Sequence, residues 1–181
     1  IIMKEPAIQN LNKKYRHLLK NESLPFGYRY LYVDFGQFEA GILAGLTDNP
    51  KLKLLYEKDK VYEELRRMSK FEDRDTAKTA FYCFVYGGII WKGAESFFST
   101  YGLKDIIDQV VEKAKETGFI NTLLGNRRVV KDEDDEKWIM NHYIQGTSSL
   151  IFKQALIDVY NQFHNNAELL IPMHDAALYM V

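Results

Sequence analysis

AELLIPMHDAALYMV, residues 167–181, sets two short apolar arms around the polar pair His174-Asp175, with Pro172 interrupting the first arm. Arms this short, with a polar break between them, read as a β-hairpin rather than a helix. The pair therefore belongs at the turn. Working back along the chain, YRYLYVDF at 28–35 alternates apolar with polar side chains and reads as a strand that ends near Asp34. Between these strands the periodicity is helical. QFEAGILAGL (37–46) has helical composition and is closed by TDNP, residues 51–70 carry one charged helical stretch, and Asp73 to Tyr86 forms a stronger helix stopped by Gly87-Gly88. LKDIIDQVVEKAKET (103–117) is an amphipathic helix with Gly118 behind it. INTLL and RRVV flank Gly125-Asn126 as a second hairpin. KDEDDEK then loads the first turn of a helix reaching to about 163, where negative charge suits the helix dipole. Residues 7–20 (AIQNLNKKYRHLLK) have helical spacing with a basic face. The order β-α-α-β-β-α-β-β predicts an α+β layer fold with a mainly antiparallel sheet.

The bulk numbers set limits. With 181 residues, 46% of them hydrophobic and 14% aromatic, the chain can bury one substantial core or two small lobes. The formal net charge is −1, from 24 basic and 25 acidic residues. That balance weighs against nucleic-acid binding unless the basic groups gather on one face. The one cysteine, Cys83, leaves no intrachain disulfide and suits a reducing compartment. No apolar run reaches the roughly 18 residues that span a bilayer. No signal-peptide pattern is visible. Opening on Ile1 and stopping inside an apolar run at Val181, the sequence reads as an excised piece of something longer.

Two acids sit against the burial pattern. Asp34 ends an apolar strand, and Asp175 lies between MH and AALYM. Either one alone reads as an exposed turn aspartate. Together they point to neighbouring strand ends, where two carboxylates repel unless a cation lies between them. Oxygen ligands without a His/Cys cluster favour Mg²⁺ over zinc, and paired Mg²⁺ ions held by acids serve in-line phosphoryl transfer. A third element is RDTAKTAFYCFVYGG (74–88). Arg74, Lys78, Tyr82 and Tyr86 are four apart, so on a helix they drift only about 40° per step and line one side. Two cations can grip a polyphosphate and two rings can stack on a base or sugar. A solvated basic end running into a buried aromatic end is the plainer alternative.

These motifs give the sequence a resemblance to the A-family DNA polymerases. VDFGQFEAGIL is similar to the family's motif A, D-Y-S-Q-I-E-L-R, with Asp34, Gln37 and Glu39 in register. Arg74, Lys78, Tyr82, Tyr86 and Gly87 match motif B, R-x-x-x-K-x-x-x-F/Y-x-x-x-Y-G. His174-Asp175-Ala176 stands for motif C, H-D-E. TLLGNRR resembles T-L-x-G-R-R, NHYIQGT resembles N-x-x-x-Q-G-T, and PAIQN resembles the segment upstream of motif A. The matches run in order from about residue 6 to 180.

The resemblance implies a polymerase palm with an antiparallel sheet, a shortened helical fingers subdomain and no thumb. Its expected layout is palm over 1–50, trimmed fingers over 51–102 and palm again over 103–181. It implies a template-directed DNA polymerase using two Mg²⁺ ions, for which Mn²⁺ can substitute. Asp34 and Asp175 would hold the metals with the Phe35 carbonyl. Arg74 and Lys78 would hold the incoming triphosphate, and Lys78 would also donate to the leaving pyrophosphate. Gln37 and Tyr62 join the nucleotide contacts. Glu39 with Tyr86 would close the pocket beside the sugar C2′, and Tyr82 would lie near its 3′ side, where Tyr goes with tolerance of dideoxynucleotides. His174, Asn141, Gln145, Lys137, Arg127, Asn126, Gln9 and Asn10 would touch primer or template, while His142 and His164 read as surface residues.

The implied partners are primer-template DNA, deoxynucleoside triphosphates, and the thumb and flanking domains of a parent chain, with no membrane. The implied place is the cytoplasm of a bacterial or phage-infected cell, with an organelle as the alternative. Replication and repair both fit, as do DNA and RNA templates. The sequence departs from the family at Ala176, where Glu is usual, and at Gly41, where motif A has Arg. The spans between motifs are also short. A silent polymerase-like module that only binds nucleic acid or a replication partner is the rival reading. Without a thumb, the piece alone is expected to bind DNA weakly.

Overall fold

The computed structural model describes residues 24–131 and 136–181. They form five strands and seven helices: β1 (Tyr30–Asp34), α1 (Phe38–Thr47), α2 (Pro50–Glu57), α3 (Val61–Ser69), α4 (Arg74–Gly87), α5 (Glu95–Thr100), α6 (Leu103–Thr117), β2 (Phe119–Asn121), β3 (Arg127–Val129), α7 (Glu136–Phe163), β4 (Glu168–Met173) and β5 (Ala176–Met180). Helices and antiparallel strands are mixed, as the α+β expectation requires. The expected helix over 7–20 lies outside the described residues.

The chain divides into two compact units. The first joins the described residues up to Phe35 with Ile151–Val181. Its sheet has the order β1-β5-β4, all antiparallel, with β5 in the middle. Pro172 cannot donate to a ladder, and it sits on edge strand β4, where that loss is tolerated. The ring of Phe35 meets Phe152 edge-on at 6.4 Å. Leu31, Val33, Phe152, Leu156 and Tyr179 line an apolar cleft of about 470 Å³.

The second unit, Gly36–Leu150, is mainly helical. Its core gathers Tyr62, Leu65, Phe81, Phe84, Phe97 and Phe98, all buried. Phe84 stacks on Phe98 at 3.8 Å, and Phe81 lies 5.4 Å from Tyr62. The α4 helix starts at Arg74 because the Asp73 carboxylate accepts the Thr76 N–H at 2.7 Å. Those Thr76 hydrogen bonds also hold the Asp73 carboxyl below its ordinary range. At the other end Gly88 takes φ 63°, and its N–H and that of Ile89 return to Phe84 and Cys83.

Two helical expectations are corrected. The stretch 51–70 is two helices, broken at Lys58–Lys60 where Asp59 adopts φ 55°. The Lys60 N–H bonds the Leu55 carbonyl at 2.8 Å and closes the first helix there. The short helix α5 was not expected, since six residues hold too few turns to show a period.

Candidate active site

Sheet register places the two aspartates. Asp34 is the last residue of β1 and pairs with Ala176, the residue after Asp175. The Phe35 N–H then donates to the Asp175 carbonyl at 3.1 Å. Backbone pairing thus brings Asp34 and Asp175 to neighbouring strand ends, both exposed. The Tyr32 hydroxyl donates to Asp34 at 3.2 Å. His174, also exposed, takes φ 32° in the turn, a conformation non-glycine residues seldom adopt. Mg²⁺ is commonly held by one or two carboxylates plus substrate phosphates, so this donor set fits it. Among the described residues no group of three or more His, Cys, Asp or Glu could hold a metal ion by itself.

In the second unit the predicted stripe forms along α4. The Lys78 ammonium lies 5.8 Å over the Tyr82 ring, and Tyr82 stacks on Tyr86 at 6.0 Å and 8°. Both tyrosine hydroxyls reach one carboxylate: Tyr82 donates to Glu39 at 3.2 Å and Tyr86 at 3.3 Å. Burial, then the Glu39 charge, pushes the Tyr86 hydroxyl far above the ordinary tyrosine range, while a hydrogen bond from Gln145 works the other way. Gln145 is thereby joined to the same cluster. The Arg74 guanidinium lies 5.3 Å from the Tyr62 ring. The Tyr62 hydroxyl is buried, and burial, followed by its interaction with Tyr82, drives its pKa far upward. Gln37 has φ 50° and donates its amide to Asp59, leaving its own carbonyl oxygen buried and unpartnered.

The QGT and TLLGN motifs interlock. A Cβ at Gly146 would lie 2.7 Å from the Thr122 methyl, and the buried Thr147 hydroxyl accepts the Leu123 N–H at 3.2 Å. Asn126 and Arg127 are exposed on this hairpin, with Arg127 bonded to Asn121 and lying over the Phe119 ring. Lys137 and Gln145 are exposed, and Asn141 is half-buried. Gln9 and Asn10 lie outside the described residues. His164 is exposed as expected, but His142 is corrected: it is half-buried and stacks on Trp138 at 5.9 Å, with Arg128 on Trp138 at 4.6 Å. Desolvation and the Arg128 charge lower the His142 pKa.

Both departures have a structural setting. Ala176 is buried, 2% exposed, opposite Asp34. At Gly41 any Cβ would meet the Tyr56 ring at 2.5–2.8 Å. Sequence reasoning missed one residue, Asp59, which accepts from Gln37 and lies 3.6 Å from Arg74. Its only signal was a place in the charged break EKDK. Among the described residues no helix is long and apolar enough to cross a membrane.

Comparison with known proteins bears on family and fold. A DNA polymerase I of Caldicellulosiruptor bescii is 26% identical over 96% of this chain, and DNA polymerase theta of Caenorhabditis elegans is 26% identical over 98%. The chain spans 25% and 13% of their lengths. A solved structure, the POL domain of Pol1 from M. smegmatis in complex with DNA primer-template and dNTP, superposes with a TM-score of 0.80 at 24% identity. That match covers 98% of this chain and 38% of the solved one, so the fold is that of part of a Pol1 polymerase domain. The model of DNA polymerase family A matches residues 1–181, and the chain belongs to that family.

Proposed function

We propose that this chain carries the nucleotidyl-transfer centre of a template-directed DNA polymerase, adding deoxynucleotides to a primer 3′-OH. It would comprise palm over 1–50 and 103–181 and trimmed fingers over 51–102, with a thumb supplied from elsewhere in the parent protein. The observation that carries the reading is the convergence of Glu39 with Tyr82 and Tyr86, more than forty residues on, beside the cations of the same helix. That convergence has no structural necessity for a mere helix surface. It sets one carboxylate beside two stacked rings, a polar-aromatic cluster of the kind that can judge a sugar.

In this reading Asp34, Asp175 and the Phe35 carbonyl hold the metal ions. Two bound Mg²⁺ ions supply acidification of the primer hydroxyl and neutralisation of charge on the leaving pyrophosphate. The chain's own residues supply position and charge, as phosphoryl transfer requires. Arg74 presents a planar fork to the triphosphate. Lys78 holds it as a point charge and gives a proton to the departing pyrophosphate. Tyr82 and Tyr86 offer ring faces to sugar and base. Glu39, fixed by both hydroxyls, fills the space a ribose 2′-OH would need. Gln145, Asn141, Lys137, Asn126, Arg127 and His174 would touch primer and template; for Gln9 and Asn10, outside the described residues, the same role rests on the resemblance alone.

Ala176 favours a second reading, a module that binds primer-template without extending it. Primer extension by the full-length parent protein separates the two, using DNA and RNA templates with the four deoxynucleotides. Templated extension with Mg²⁺ that stops on chelation is expected. Tight primer-template binding without extension under any divalent ion would establish the second reading instead.

A further inference from the structure

We propose that Asp59 is an acidic latch on Arg74 that sets the affinity of the site for a nucleoside triphosphate. The inference rests on Arg74 being a triphosphate contact. Asp59 lies in the break between α2 and α3 at φ 55°, and its side chain is 71% exposed. One carboxylate oxygen accepts from the Gln37 amide, and the other lies 3.6 Å from Arg74 Nη2. A Cβ on Gly36 would be 4.0 Å from it. One acid therefore ties together motif A, the entrance to α3 and the first residue of α4. Every partner it engages is a residue assigned to the nucleotide or next to one.

Two properties make this a latch rather than a strut. At 3.6 Å the contact is an ion pair beyond good hydrogen-bond distance, and both partners are partly solvated, so it is readily surrendered. A triphosphate competes for the same guanidinium, and binding it would leave Asp59 facing a polyanion without its cation. Both effects oppose the nucleotide. The latch costs affinity and in return keeps Arg74 from gripping any passing phosphate. Asn at position 59 keeps the shape and an acceptor for Gln37 but removes the charge.

The test measures dissociation constants of dATP with Mg²⁺ by calorimetry on the full chain, and nucleotide KM and kcat in primer extension. The variants are Asp59→Asn, Asp59→Glu, Arg74→Ala and the double variant Asp59→Asn/Arg74→Ala. Asp59→Asn should tighten dATP roughly 2- to 5-fold, the range of one exposed ion pair. The change should appear in KM more than in kcat and fade at high salt. Asp59→Glu should stay near the parent. In the Arg74→Ala background the Asp59→Asn effect should vanish. Weaker or unchanged binding in Asp59→Asn overturns the latch, as does an equal gain in the double variant. If Arg74→Ala itself leaves dATP binding unchanged, the assignment of Arg74 fails, and the latch with it.

Discussion

The carboxylate edge and the tyrosine cluster are held in place by opposite means. Asp34 and Asp175 are exposed and are positioned by main-chain pairing, Asp34 against Ala176 and Phe35 against Asp175. Glu39, Tyr82 and Tyr86 are partly buried and are positioned by one another's side chains. A backbone-set site tolerates loss of a side chain structurally and loses only chemistry. A side-chain-set site loses geometry with each member. Substitution should therefore separate function from stability in the first and couple them in the second.

The largest effect is expected at the edge. Asp34→Ala or Asp175→Ala should cut Mg²⁺-dependent primer extension by roughly 10³-fold or more, the scale of removing a group that organises transition-state charge. Because both carboxylates are solvated, stability should move by no more than about 0.5 kcal/mol. Extension rates and thermal melting of the same preparations check both halves. Full-rate extension by either variant would remove the metal-ligand assignment, and a collapsed melting temperature would remove the contrast.

Glu39→Ala sharpens the other side. It strands two half-buried hydroxyls, at about 1–3 kcal/mol for each donor left unsatisfied. In the proposed reading it would also open the space beside the sugar C2′. Ribonucleotide incorporation should rise roughly 10-fold or more while melting temperature falls, and parallel rATP and dATP kinetics with calorimetric melting measure the pair. Unchanged sugar selectivity would free Glu39 from its gating role. Gly41→Arg, which writes the family's residue into motif A, should cost about 1–3 kcal/mol, since the Tyr56 ring occupies that space. Adding Tyr56→Ala should return much of that stability in chemical denaturation.

The same contrast accounts for what could be read in advance. Alternation ending in a lone acid announced β1, short apolar arms around a polar pair announced the β4–β5 hairpin, and four-residue spacing announced the α4 stripe, because each signal lies within one local stretch of sequence. That Asp34 and Asp175 lie at neighbouring strand ends was inferred only from the oddity of two acids in apolar surroundings, and the register of Asp34 against Ala176 was not read at all. Contacts across elements left no trace. Asp59 owes its role to a left-handed turn that splits a charged stretch otherwise suited to one helix. His142 looked like surface because its shelter is an aromatic neighbour one turn away and an arginine on strand β3. The Tyr56 ring over Gly41 was equally hidden, since glycine in a helix announces space without naming its occupant.

Tyr82→Phe makes the finest cut. The ring stays, and with it the stack on Tyr86 and the Lys78 contact, while the donor to Glu39 is lost. Tyr86 still donates to the other Glu39 oxygen, so the carboxylate keeps one anchor and the cluster should hold. A hydrogen bond of this kind is worth about 0.5–1.5 kcal/mol net. If the hydroxyl stands near the sugar's 3′ position, it supplies a polar group there, which a dideoxynucleotide lacks. Its loss should then lower dideoxynucleotide use relative to deoxynucleotide use by roughly 2- to 10-fold, with sugar C2′ selectivity nearly unchanged. The ratio of kcat/KM for ddATP and dATP reads this directly. An unaltered ratio would show that Tyr82 serves only as a strut for Glu39, and a ratio that moves together with ribonucleotide incorporation would show that the two tyrosines act as one gate.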